Sequence, residues 1–299
     1  MGWRVHWGHD LAPLEEVWGR AAAHQTVFQG FTFARHWAAC FTEQTEMRIG
    51  WSENPAAVVP LVRRGGMWSL IGEGLFDYQD VIGRPGAEAA LWTREQTDGH
   101  LQVTGVPEGT GQHKFWQQLG MEARQFSCAP IRVAGEESEL PHEHPRQQRR
   151  WQAAGAQLEK VEGRGERLRH LDWLLEHKTQ GLAAQARENV LDAGARRWLG
   201  AMVESEPDVA ELWSLRRAGE TLAGILCWRS AAVRYAYTIA YDARFAALSP
   251  GVLALYALLR QTMREGRGFN FLTGEQEFKL RFATGRETLL RYASFHPTS

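Results

Sequence analysis

Residues 234–281, RYAYTIAYDARFAALSPGVLALYALLRQTMREGRGFNFLTGEQEFKLR, constrain the fold more than any other stretch of the chain. Tyr235, Tyr237, Ile239 and Tyr241 alternate with Ala236, Thr238 and Ala240, which is the two-faced pattern of a strand. Ser249-Pro250-Gly251 then turns the chain into a helix. That helix carries Val252, Leu255, Leu259 and Met263 on one stripe and is stopped by Gly266. Residues 269–272 form the next strand, and a strand-helix-strand connection of this length predicts a parallel crossover. A helix that starts at Pro-Gly directly after a strand presents backbone N–H groups to whatever lies before it. The amides of Gly251, Val252 and Leu253 therefore suit an anion such as a pyrophosphate. The ordinary alternative is a helix start with Ser249 as N-cap and Pro250 at the first helical position.

Upstream, residues 211–216, 222–228 and 233–241 are joined by short turns at Ala218-Gly219 and Ser230. They predict an antiparallel three-stranded meander. Helices are expected over residues 168–182 and 193–204, a strand over 157–162 and a basic helix over 146–154. The first half mixes both element types. Residues 11–23 read as a helix capped by Asp10, and residues 31–41 as a helix with Thr32 as its cap. Residues 47–51 and 56–62 form a hairpin through Asn54-Pro55, with a further strand at 67–71. Helices at 87–94 and 113–119 alternate with strands at 101–106 and 126–133. The acidic, proline-containing stretch 136–145 is the linker candidate, which gives domains at 1–135 and 146–299. His142-Glu143-His144 within it lacks the i,i+4 spacing of a helical metal pair and reads as a solvated loop.

Composition narrows the function classes. Lys plus Arg number 34 and Asp plus Glu 35 in 299 residues, so the net charge of −1 supplies no global field for nucleic acid or an anionic membrane. Cys40, Cys128 and Cys227 are three and far apart, which argues against a disulfide framework or a zinc site; no metal is expected. The start, MGWRVHWGHD, has no apolar core of a secretory signal, and no apolar run reaches membrane-spanning length; a cytoplasmic protein is expected. The thirteen tryptophans follow no repeat, and most of them read as core or interface residues.

Tyr241-Asp242, Phe245, Ser249-Pro250-Gly251, the entry from Gly266 to Phe271, Gly274-Glu275 and Lys279 stand in an order that resembles the CelD-like acetyltransferases. These belong to the GNAT superfamily and are related to the FemABX peptidyltransferases. Pro60-Leu61 and Asp77-Tyr78 add to the resemblance in the N-terminal half. It implies an α/β (α+β) protein of two tandem GNAT-like domains, each a mixed, mainly antiparallel sheet flanked by helices. It further implies acyl transfer from acetyl-CoA or another acyl-CoA to an amine or hydroxyl of a small molecule or glycan, in exopolysaccharide or cell-envelope metabolism. Tyr241, Ser249, Gly251, Val252 and Leu253 would bind the donor, and the acceptor would lie between domains, bordered by the loops of Asp77 and Glu275. The family usually carries Asp at the position of Asn270 and Tyr at that of Phe278. A base at 270 would be lost here, whereas a loop-ordering group would be kept.

Four residues are candidates for chemistry. Glu275 can accept the proton of an attacking group, or can order its loop. Lys279 can hold a donor phosphate or an oxyanion, or can pair with Glu275 at i,i+4. Tyr78 can act as an acid and Asp77 can orient the acceptor, or the two can be an Asx turn and a packed tyrosine. His177-Lys178 and the cluster of Arg146, Arg149 and Arg150 read more simply as a helix end and a solvated face. Ser249 has no nearby His and no cysteine has an identifiable activating base, so direct attack on the thioester is expected. Two other readings stay open: an aminoacyl-tRNA-dependent FemABX-like transferase, and a GNAT scaffold that binds without catalysis.

Overall fold

The computed structural model describes residues 2–23, 25–43, 45–135, 155–187 and 191–294. The chain divides into two compact units, residues 1–128 with 287–299, and residues 129–286. The boundaries thus differ from the sequence expectation at the C-terminal end, where the last strand beyond Arg286 goes with the first unit. The linker at 136–145, His142-Glu143-His144 and the basic helix at 146–154 lie outside the described residues.

In unit 1, β1 (Arg4–Trp7), β2 (Glu46–Glu53), β3 (Ala56–Arg64) and β4 (Met67–Leu70) form an antiparallel sheet in that order. The short β5 (Ile82–Gly83) joins β3. The 46–64 hairpin closes through a cis Asn54-Pro55 peptide, with Glu53 opposite Ala56. The first predicted helix is split: Asp10 Oδ1 accepts from Ala12 N at 3.1 Å over a 3₁₀ turn, and α1 (Glu15–Ala22) follows. α2 (Phe31–Cys40) starts from Gly30, so Thr32 lies inside it and does not cap it. Next come α3 (Ala87–Thr97), β6 (Gln102–Pro107) and α4 (His113–Gln118). β6 pairs with the C-terminal part of β13 (Gly285–Ala293), a strand the sequence reading missed. The core of the unit gathers Val59, Leu61, Trp68, Val103, Trp116 and Tyr292.

In unit 2, the end of β7 (Glu122–Arg132) pairs with β12 (Gly268–Asn270), followed by β11 (Val233–Tyr241), β10 (Glu220–Arg229), β9 (Ala210–Arg217) and β8 (Gln157–Lys160). The meander is antiparallel and the β11–β12 pair is parallel, as the pattern predicts. α5 (Arg164–Ala184), α6 (Ala193–Ser205), α7 (Pro250–Arg264) and α8 (Glu277–Phe282) complete the unit. Asp192 caps α6 through Ala195 N at 2.7 Å. α7 buries Leu253, Leu255, Leu258, Leu259 and Met263 against Leu222, Ile225 and Phe269.

Two buried groups give pH-dependent stability. Asp80, in unit 1, is buried; Oδ1 accepts from Val81 N and Trp116 Nε1, and Oδ2 from Thr110. Burial outweighs these bonds and pushes its pKa up to about 7. Its contribution is complete below the unfolded value of ~3.9 and is lost as pH rises through the folded value. Asp80→Asn keeps the same acceptors on one oxygen and can offer its amide to Thr110. The variant is therefore expected to lose less stability than the parent between about pH 5 and pH 8, read as Tm in a paired series. An unchanged pH slope would count against Asp80 as its source. His170, in unit 2, faces Trp213 O at 3.3 Å, and burial pushes it down to about 4.

No described helix is long and apolar enough to cross a membrane. Among the described residues, no group of three His, Cys, Asp or Glu is placed to hold a metal ion.

Candidate active site

The geometry of unit 2 begins with the ladder between β11 and β12. It spans only Val233–Tyr235 against Gly268–Asn270, while β11 runs on to Tyr241. At that far end Tyr241 is 45% exposed, and the next residue, Asp242, is buried. Asp242 caps the 3₁₀ turn Ala243–Leu248 through Arg244 N at 2.9 Å and holds the Arg244 side chain at 2.7 Å. These bonds to Arg244 hold its carboxyl below the usual range, with a further contribution from His177. His177, on α5, is therefore close enough to the end of β11 to act on it electrostatically. It also stacks on Trp173 with ring centres 4.1 Å apart. Burial lowers the pKa of its neighbour Lys178.

The turn into α7 departs from the ordinary cap, the alternative reading of Ser249. Ser249 is exposed and left-handed, at φ 51° and ψ 51°, and its side chain caps nothing. Its carbonyl accepts from Val252 N and Leu253 N, both at 3.1 Å. Two of the three amides assigned to an anion thus already have a backbone acceptor. Gly251 lies against Tyr241: a Cβ there would sit 3.5 Å from Tyr241 Cδ1 and 3.6 Å from Ile239 Cγ2. Tyr241, Ser249 and Gly251 are therefore one surface, built where β11 ends and α7 begins.

The loop after β12 holds the other candidates. Asn270 is buried, and its Oδ1 accepts from Leu272 N at 2.8 Å. Leu272 takes the left-handed φ of 56° that this turn requires. The side chain at 270 thus orders the loop. Lys279 Nζ donates to Thr273 O at 2.8 Å, across the same loop. Glu275 pairs with Arg286 at 3.1 Å, so the i,i+4 pair with Lys279 is replaced by two separate contacts. That Glu275–Arg286 pair is about half exposed on both sides and contributes at most ~1 kcal/mol. Phe278 packs partly buried against the core.

Asp77 and Tyr78 belong to unit 1. Tyr78 is buried, stacks on Phe28 and donates its hydroxyl to the Glu287 carboxylate. Its carbonyl accepts from Gln29 Nε2 at 2.8 Å. Asp77 is half-buried and its backbone rests on Gly105, where a Cβ would lie 2.4 Å from Asp77 O. Gly105 has φ 83°, so both space and conformation require glycine there. In the same loop, Glu73 accepts from Thr104 at 2.7 Å, and burial raises its pKa.

Several of these partners have no sequence signal. Glu287 lies 209 residues from Tyr78, and Arg286 lies in β13, a strand that the sequence reading did not predict. Asp242 with Arg244 is different: an acid two residues before an arginine, at a strand end, is a local pattern that could have been found.

Residues 143–280 match the family model described as acetyltransferase (GNAT) domain. No curated protein matches the sequence. Among solved structures, the C-terminal domain of a putative lysylphosphatidylglycerol synthetase from Agrobacterium fabrum is similar at TM-score 0.64 and 13% identity, covering 94% of this chain and 92% of that one. FemX is similar at 0.65 and 11% identity, with 97% of each chain covered. A tandem GNAT protein from the clavulanic acid biosynthesis pathway is similar at 0.55 and 12% identity over all of both chains. At such identities the likeness is one of fold. Residues 143–280 thus match the model of a GNAT domain, and the chain has a fold similar to that of the GNAT proteins.

Proposed function

We propose that the protein is an acyltransferase that moves an acetyl or other acyl group from coenzyme A to an amine or hydroxyl. The observation that carries this reading is the surface where β11 ends and α7 begins. Tyr241, Ser249 and Gly251 are together there, at the start of a long amphipathic helix. The positive end of the α7 dipole favours the pyrophosphate of the donor. The part of β11 beyond Tyr235 continues without β12 alongside, and a strand edge suits the amide-bearing arm of coenzyme A. Val252 and Leu253 belong to the first turn of the same helix.

Glu275 is the group proposed to take the proton of the attacking acceptor, with Arg286 positioning it. Lys279, whose Nζ donates to Thr273 O, is proposed to serve a donor phosphate or the oxyanion. Asp77 and Tyr78 are proposed for the acceptor, the Tyr78 hydroxyl working through its bond to Glu287. The order of motifs from Tyr241 to Lys279 favours a CelD-like role, with a glycan or small-molecule acceptor in exopolysaccharide or envelope metabolism.

The test is calorimetry with acetyl-CoA on the full chain, followed by thiol release in the presence of amines and sugars. Binding near micromolar with acceptor-dependent thiol release is expected. Failure of the intact protein to bind any acyl-CoA would rule the reading out. Binding without thiol release from any acceptor would favour a non-catalytic scaffold.

A further inference from the structure

Unit 1 has a cleft of about 770 Å³ whose lining includes none of the candidate site residues. Its charged lining residues are Arg20, Arg84 and Lys114, and no carboxylate lines it. This local excess of three cations stands in a chain whose net charge is −1. Neither Arg84 nor Lys114 has an ion-pair partner among the described residues. Arg20 reaches only Glu16, at 3.8 Å, and Glu16 is 88% exposed. Gln25, Gln112 and Gln118 add amide groups to the wall, and Ala21, Ala56 and Phe115 add an apolar part. We propose that this cleft binds a phosphate-bearing small molecule.

The frame that holds these groups is tightly tied. Gly83 has φ 76°, and a Cβ there would lie 2.1 Å from Ala56 O, so the backbones of β3 and β5 touch. Arg84 N donates to Ala56 O at 3.4 Å, which fixes where Arg84 leaves the sheet. Gln112 Nε2 donates to Gly83 O and ties the start of α4 to the same segment. Gln25 Nε2 donates to Val81 O at 3.0 Å from the other side. Gln25 Oε1 is buried there without a partner among the described residues. Pro55 and Pro85 stiffen the rim. The cations therefore project from a preformed scaffold.

Chemistry selects the ligand class. The guanidinium forks of Arg20 and Arg84 and the Lys114 ammonium match the several oxygens of a phosphate or diphosphate. The volume falls within the range of small-molecule sites, about 300–1,000 Å³, which accommodates more than a bare ion. Gln25, Gln112, Gln118 and the apolar wall suit the hydroxyls and carbon skeleton of an organic phosphate. Because the cations are exposed, binding should weaken as salt is added.

Inorganic pyrophosphate, titrated by calorimetry into the full chain, is the probe. The background is Gly251→Trp, which obstructs the start of α7 in unit 2. Pyrophosphate is expected to bind this background, and the added pair Arg84→Gln and Lys114→Gln should weaken it by about tenfold or more. Both residues are exposed, so the circular dichroism spectrum and Tm should be unchanged. Absence of binding in the background, or equal binding with and without the pair, would overturn the site. Citrate binding as tightly as pyrophosphate would overturn the assignment to phosphate.

Discussion

Glu211→Ala is expected to destabilise the protein by about 3–5 kcal/mol, because it leaves a buried guanidinium without its carboxylate. Glu211 and Arg234 are 2% and 1% exposed at their side chains and meet at 2.8 Å. Arg234 also lies over the Trp213 ring at 5.4 Å and donates to Thr262 and Glu265. Lys160 and Arg229 each approach Glu211 at 3.4 Å, but both are about a quarter to a third exposed and can be hydrated instead. Arg234 cannot, so the expected loss falls mainly on it. Set against a typical stability of about 5–15 kcal/mol, this is a large fraction, and a Tm drop on the order of 10 °C is expected.

The double variant Glu211→Leu with Arg234→Met should recover much of the loss, since it removes both charges together. A Tm for Glu211→Ala within about 2 °C of the parent would show that the pair is not the structural centre of the unit. The acid limb gives a second readout. Burial raises the Glu211 pKa, but the bond and charge of Arg234, with Lys160, bring it net below the ordinary value. That contribution is present above the unfolded value of ~4.3 and is lost as pH falls through the lower folded value. Acid unfolding of the parent should therefore be steeper in that window than that of the double variant.

How much of this was legible in the sequence follows from the range of the forces involved. Unit 2 could be read almost element by element because its signals are local: alternation in β11, short turns in the meander, and Pro250 and Gly266 bounding α7. The parallel pairing of β11 with β12 followed from the length of the crossover. Whether Ser249 is a conventional side-chain cap, the ordinary alternative, could not be decided from the sequence, because composition cannot distinguish an extended from a left-handed serine before proline. β1 and the C-terminal strand were missed because their sequences, RVHW and GRETLLRYA, carry weak alternation, and their pairing with β2 and β6 is decided elsewhere in the chain. The same limit hides the bond from Tyr78 to Glu287 and the pair of Glu275 with Arg286. Asn270 is the instructive intermediate case. The sequence left open whether its side chain was a lost base or a loop-ordering group. Its bond to Leu272 N shows the ordering role, which the amide oxygen of Asn performs as the carboxylate of Asp would.

Gly251→Trp is expected to weaken acetyl-CoA binding by about 100-fold or more, with little change in stability. The first carbon of any side chain at 251 fits, since its contacts to Tyr241 and Ile239 are of ordinary van der Waals length. Gly251→Ala should therefore bind within about threefold of the parent. The indole of tryptophan must extend further, over exposed Tyr241 and Ser249, into the space where the pyrophosphate is proposed to sit. A hundredfold loss corresponds to about 2.7 kcal/mol, the order of one or two charge-assisted hydrogen bonds. The substitution is far from the Glu211–Arg234 pair: Arg234 is near the start of β11 and Tyr241 at its end, about 20 Å apart at the usual rise of a strand. Stability and donor binding should accordingly separate, with Glu211→Ala lowering Tm and Gly251→Trp lowering affinity. Acetyl-CoA bound equally by the parent and by Gly251→Trp would place the donor elsewhere, and the roles given to Tyr241, Ser249, Val252 and Leu253 would fall with it.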